Sequence, residues 1–439
     1  MRMTDRFELP VTAASAEAVA DYVAAVDLLL SATPGADARL ERALAADPDF
    51  ALAQIARARL LQLQARIGEA RAAAESATAL AVRTSTREIR HVEAIARAIA
   101  GDAPGALALV QEHAAEYPRD ALPLSLALGV FGLLGFSGRR DHHEAQLALL
   151  EGLAPHWPED WWFLGYLGWA EIETGAVATG TRRVERSLEL NPRNAHGAHQ
   201  RAHGYFEAGD AEGGARFIAD WLPGYERAGH LHCHLSWHLA LFELARGDSD
   251  RAMAVYRDAI RPAVALSVPM LSLADSASFL WRWQIYGTRP ALADEWKEVA
   301  VHARRHFPRA SLAFADLHAA LAEAATGDDA AVESRIAGLN QLAAEGKLPS
   351  GEVAPALCAA AAALARADPA KAAAVLEAAL ADLPRVGGSH AQREVFEDAL
   401  IIADLKSGRP ENAARLLRAR LARRPSTRDE DWLRRCSRP

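Results

Sequence analysis

Residues 175–209 read GAVATGTRRVERSLELNPRNAHGAHQRAHGYFEAG, from one glycine to another 34 positions on. Three marks in that stretch decide the fold. Gly175 and Gly209 leave a helix through a left-handed turn, a conformation open to glycine. Gly180, five residues after the turn, has no side chain and lets a second helix lie close against the first. Pro192, seventeen residues after the turn, stops that second helix and starts the next unit.

The same marks recur outward from there. Turn glycines stand at Gly68, Gly101, Gly175, Gly209, Gly247, Gly327 and Gly408, and an Ala or Gly follows five residues later in every case except Gly327, where Val332 stands. Pro118, Pro192 and Pro425 each lie seventeen residues after a turn glycine, and Pro48/Pro118 and Pro192/Pro262 are both 70 apart, about two periods. A period of about 34 residues is that of tetratricopeptide helix pairs. Alternation of Val, Ile and Thr never persists, so strands are not expected. The expected fold is therefore all-α: a right-handed α-solenoid of tetratricopeptide-like helix pairs, strongly curved, with no sheet and roughly eleven or twelve pairs. Residues 1–439 are expected to form one repeat domain, with histidine-rich central repeats at 159–262 and C-terminal repeats at 263–425. Residues 138–141 and 387–388 read as loops rather than boundaries.

Composition limits the function. The 439 residues are 51% hydrophobic and 24% charged, with a net charge of −8, which argues against a nucleic-acid partner. Arginine outnumbers lysine 45 to four, which in so alanine-rich a chain reads as coding bias. Cys233, Cys358 and Cys436 show no pairing pattern and point to a reducing compartment. Neither an apolar leader nor a run of about 18 apolar residues is present, so a cytoplasmic protein without a membrane partner is expected. Gly-x-Gly-x-x-Gly and phosphate-loop patterns are missing, so no nucleotide cofactor is expected.

Seven of the sixteen histidines crowd between Ala195 and Gly247: His196, His199, His203, His230, His232, His234 and His238. His199/His203 and His234/His238 are each four apart, so each pair shares one helix face. Imidazole serves proton transfer, metal ligation and ligand binding. With the turn glycine at position 15, concave positions fall near 2, 5, 9 and 12. Those are His196, His199, His203 and Phe206 in one unit, Trp162 and Trp169 in the unit before, and His234 and Trp237 in the unit after. Neighbouring helices pack about 8–10 Å apart, so the imidazoles are expected to converge on a pocket edged by indoles. The indoles serve there as ligand-stacking surfaces or as core. Asp141-His142-His143-Glu144 reads instead as a helix N-terminus with a solvated face.

The run His199-x3-His203 followed by His234-Leu-Ser-Trp237-His238-Leu-Ala-Leu resembles the family named after tetratricopeptide repeat protein 38. Residues 275–282 (DSASFLWR), Phe314-Ala-Asp316-Leu-His318 and Gly387-Gly-Ser-His390-Ala-Gln392-Arg393 fit it too, in order, over roughly residues 15 to 425. The resemblance implies a cytoplasmic superhelix and singles out His199, His203, His234, His238, Asp275, Arg282, Asp316, His318, His390 and Arg393. It is loose before residue 150, where no role carries over.

Such a set, brought together by closure of the C-terminal repeats over the middle ones, suits an acid–base enzyme of hydrolase or lyase type. His203, His234, His238, Asp316, His318 and His390 are the candidate catalytic residues. His199, Trp162, Trp169, Trp237, Asp275, Arg282 and Arg393 are candidates for binding a small, anionic molecule, the two guanidiniums holding a carboxylate. A metal variant places zinc or iron on His199, His203, His234 and His238, although no His-Glu-x-x-His signature occurs. The alternatives are a scaffold that binds a peptide in the concave groove and a protein that binds a metabolite without turnover. The Lys/Asn clamp for a peptide's terminal carboxylate is missing, because these concave positions carry His, Trp and Gly. Homo-oligomers are compatible with either reading.

Overall fold

The computed structural model describes residues 3–286 and 292–437. Among them lie twenty-three α-helices and no strand, only an isolated bridge between Thr4 and Pro10. The first seven helices are α1 (Ala16–Leu30), α2 (Ala36–Ala46), α3 (Ala51–Leu63), α4 (Ile67–Ala81), α5 (Thr86–Ala100), α6 (Ala103–Glu116) and the short α7 (Ala121–Ser125). The central group is α8 (His142–Leu153), α9 (Trp161–Glu173), α10 (Val177–Leu190), α11 (Ala195–Ala208), α12 (Ala211–Trp221), α13 (His232–Ala245) and α14 (Ser249–Val255). Then come α15 (Pro269–Tyr286), α16 (Ala293–His306), α17 (Ala313–Ala325), α18 (Asp329–Ala344), α19 (Val353–Ala365) and α20 (Pro369–Ala379). The last three are α21 (His390–Lys406), α22 (Pro410–Arg423) and α23 (Thr427–Cys436). Each helix packs mainly on helices one or two places away along the chain, the pattern of an α-solenoid. None is long and apolar enough to cross a membrane.

The repeat marks work as their chemistry requires. Gly209 turns left-handed at φ +70°. A Cβ on Gly180 would stand 2.2 Å from the Gly168 carbonyl oxygen, so the small residue sets the α9–α10 approach. After five of the turns an aspartate caps the second helix: Asp102, Asp210, Asp248, Asp328 and Asp368 accept backbone N–H bonds from Gly105, Gly213, Arg251, Ala331 and Lys371. One turn assignment changes. Gly68 lies within α4, and the left-handed residue between α3 and α4 is Ala65, at φ 60°. Ala367 does the same between α19 and α20. The spacing rule survives the change, since the residues five positions on, Ala70 and Ala372, are fully buried.

The solenoid curves until distant repeats touch. The end of α1 docks on the central group: Ala195 N–H donates to the Ser31 carbonyl at 2.9 Å, and Tyr225 Oη to the Ala32 carbonyl at 2.5 Å. The 138–141 and 387–388 loops lie on the opposite closure. Arg385 donates to the Gly138 carbonyl at 3.0 Å, Arg140 pairs with Asp382, and Phe314 meets Phe131 and Phe136 at 5.3 and 6.3 Å. Two large apolar cores result. One runs from Phe7 to Ala170, the other from Ala195 to Ala403. The seam between α9 and α11 is where the polar cluster described next is held.

Candidate functional site

Helix α11 presents His199 and His203 one turn apart, and α13 presents His234 and His238 in the same way. Small residues on α11 (Gly197, Ala198, Ala202 and Gly204) are buried and let its neighbours close in. The four imidazoles form one buried cluster. Ring centroids lie 4.6 Å apart for His199–His203, 4.8 Å for His199–His234, 5.1 Å for His199–His238, 4.8 Å for His203–His238 and 4.9 Å for His234–His238.

Two buried carboxylates fix the orientation of two rings. His203 Nδ1 donates to Glu173 Oε1 at 2.7 Å, and His234 Nδ1 donates to Asp275 Oδ1 at 2.9 Å. Each bond leaves Nε2 as the ring nitrogen turned away from the carboxylate. His203 Nε2 lies 3.0 Å from His199 Nε2. Neither nitrogen of His238 has a hydrogen-bond partner among the described residues, although the residue is 1% exposed. Burial, reinforced by the neighbouring imidazoles, holds His199 and His238 well below the usual histidine pKa, so both are neutral. Burial alone would raise the Glu173 carboxyl. The imidazoles of His203, His390 and His143 outweigh it and hold Glu173 well below the ordinary carboxylate range.

Glu173 also joins this cluster to a second one at the start of α21. Its Oε2 accepts the His390 backbone N–H at 3.1 Å and lies 3.4 Å from His143 Nε2. The His390 ring donates through Nδ1 to Glu207 Oε1 at 3.1 Å; burial lowers its pKa, but Glu173 and Glu207 prevail and raise it. The buried Arg393 guanidinium donates to the Gly388 carbonyl and lies 3.3 and 3.4 Å from His142 and His143 Nε2. Burial and Arg393 lower His142 to about 3, and His143 is lowered chiefly by burial. Trp169 edges both clusters, 5.5 Å from His143 and 6.4 Å from His203. His390 is the member nearest solvent, its side chain 27% exposed.

The other candidates divide. Trp237 stacks on His234 at 5.1 Å and donates its indole N–H to Ser278 Oγ at 3.0 Å. Arg282 donates to the same hydroxyl at 2.9 Å and to the Ala391 carbonyl at 2.5 Å, tying α15 to α21. His318 donates through Nδ1 to the Phe314 carbonyl at 2.7 Å, and burial lowers it to about 4. Asp316 stands apart from the imidazoles: it accepts the Ser311 and Leu312 N–H groups at 2.9 Å and pairs with Arg335, a network that closes the start of α17. Trp162 packs among Trp157 and Tyr166 in the first core. Ser389 and Gln392 form a capping box on α21, so that motif is in part a helix start.

Four contributors escaped the sequence reading. His142 and His143 are buried against Arg393 instead of lying on a solvated face, because closure brings α21 over the start of α8. Glu173 and Glu207 carried a usable signal: they stand 34 residues apart, each two positions before a turn glycine.

No family model matches the chain. Two solved structures match it along most of its length at low similarity. A structure of Naa15/Naa10 bound to HypK-THB is 12% identical, with a TM-score of 0.23 over 92% of this chain; the chain spans 63% of that one. The tetratricopeptide domain of P58(IPK) is 16% identical, with a TM-score of 0.24, covering 92% of this chain and 89% of that one.

Proposed function

We propose that the chain is an acid–base enzyme of hydrolase or lyase type acting on a small anionic molecule at the seam between α9, α11, α13 and α21. The observation that carries this reading is the pair of carboxylate–imidazole couples, Glu173–His203 and Asp275–His234, turned into one buried cluster. A carboxylate on Nδ1 orients the ring and makes Nε2 the basic nitrogen, which is what a general base needs. Arg393 supports an anionic substrate. Its guanidinium is buried against carbonyls and imidazoles, and among the described residues its contacts include no carboxylate. His390, partly exposed, lies on the approach from solvent. His203 is assigned as base and Arg393 as anchor.

The test separates binding from turnover. A mixture of small organic acids and esters is incubated with the wild-type chain and with His203→Ala, and is followed by mass spectrometry. One compound consumed by the wild type should persist with the variant, which still retains it on a desalting column. Consumption by neither protein, or equally by both, overturns the assignment.

A second reading, a scaffold for a peptide partner, has its own support on the outer surface. A groove of about 410 Å³ between α18, α19 and α20 is lined by Val332, Ile336 and Ala362, with Glu333, Arg366 and Lys371 at its polar positions. Mixed apolar and charged lining of this kind suits an amphipathic segment. Pull-down by the wild type but not by Ile336→Asp would favour it.

A further inference from the structure

We propose that His199, His234 and His238 form a three-nitrogen site for a single divalent transition-metal ion, with His203 beside it as a hydrogen-bonding neighbour. The inference concerns the same cluster as the proposed chemistry, yet it requires no turnover.

Three observations carry it. One ring nitrogen from each of the three residues lies within 4.8 Å of the other two. Nitrogens around a zinc ion at about 2.0–2.1 Å stand roughly 3.3 Å apart, so small ring rotations would complete the site. Asp275 takes the Nδ1 proton of His234 and directs its Nε2 lone pair to the cluster, the arrangement that metal-bound histidines share. His238 is buried, and neither of its ring nitrogens has a hydrogen-bond partner among the described residues, which leaves a lone pair for an ion.

Ligand chemistry narrows the ion. Three imidazoles suit zinc, iron, cobalt or nickel rather than magnesium or calcium, which take oxygen. The nearby Cys233 thiol lies 3.8 Å from the Asp275 carboxylate and is not one of the three residues whose ligand atoms converge. Three protein ligands leave a coordination position for water. His203 Nε2 is 3.0 Å from His199 Nε2, and Glu173 holds the His203 ring in place. Ion binding would draw His199 away from this contact and free the His203 lone pair for the bound water.

The experiment uses the full-length chain, stripped with a chelator, desalted and titrated separately with zinc(II), cobalt(II) and, without oxygen, iron(II). Elemental analysis after desalting should find one equivalent of at least one of these ions. Cobalt(II) should give visible d–d bands and quench Trp237, whose ring stacks on His234; Trp237→Phe should remove most of that quenching. His238→Ala should lower affinity at least 100-fold, and Asp275→Asn about 10–100-fold. His232→Ala, outside the cluster, should bind like the wild type. Should His238→Ala fail to fold, the wild-type stoichiometry and the Trp237 quenching decide the matter alone. Retention of none of the three ions by the wild type, or unchanged affinity in folded His238→Ala, overturns the proposal. No turnover by the wild type with the ion still held would instead sink the acid–base assignment.

Discussion

At the scale of single residues, Glu173 has the largest share of the polar wiring. One oxygen orients His203 and the other receives the His390 backbone N–H, so this carboxylate holds two histidine clusters in register. Its charge is also a principal cause of the raised His390 pKa. Proton binding to His390 therefore stabilises the fold at pH values below its unfolded pKa, and that contribution is lost as pH rises through the folded value. In Glu173→Gln the opposite charge is gone, and the His390 midpoint, followed by NMR, should drop toward or below about 6.5. An unmoved midpoint would show that Glu207 alone sets it.

Among the helices, the repeat is enforced by small residues and by turns, and the two can be weighed against each other. Ala65 and Ala367 adopt left-handed backbone at φ 60° and 57°, conformations disfavoured for any residue with a Cβ. Ala65→Gly should raise stability by up to about 1 kcal/mol. Gly180→Ala should lower it by about 1–3 kcal/mol, because its Cβ would meet the Gly168 backbone oxygen, which cannot rotate away. Urea denaturation of the two variants checks both signs, and a stabilising Gly180→Ala would contradict the close α9–α10 approach. Five capping aspartates repeat one solution at the start of five second helices, and Asp210→Ala should cost about 1 kcal/mol by the same measurement.

Across the whole molecule, closure makes the candidate site. The first turn of α21 reaches α8, α9 and α11 only because the solenoid bends far enough for residues 387–393 to return to residues 136–143. Phe314 is a buried pin of that closure, in contact with Phe131, Phe136 and His318. Phe314→Ala should destabilise the fold by about 3–5 kcal/mol. Hydrogen exchange should also quicken at residues 387–393 and 126–141 more than in α1–α4. Uniform quickening along the chain would mean that the closure has no local stability of its own.

The sequence by itself determined the 34-residue period, the all-helical class and the inward face of α11 and α13. Those depend on local chemistry: a left-handed turn, a small residue at a close approach, and a helical repeat that puts positions four apart on one side. It also held Glu173 and Glu207 in plain view at matching repeat positions, as recurrence rather than as contact. Tertiary structure alone decided that His142, His143 and Arg393 share a buried space, that Arg335 from α18 pairs with Asp316, and that Asp275 orients His234. Each of those pairings joins side chains from separate helices. Their distance depends on curvature accumulated over many repeats, which no local stretch of residues encodes.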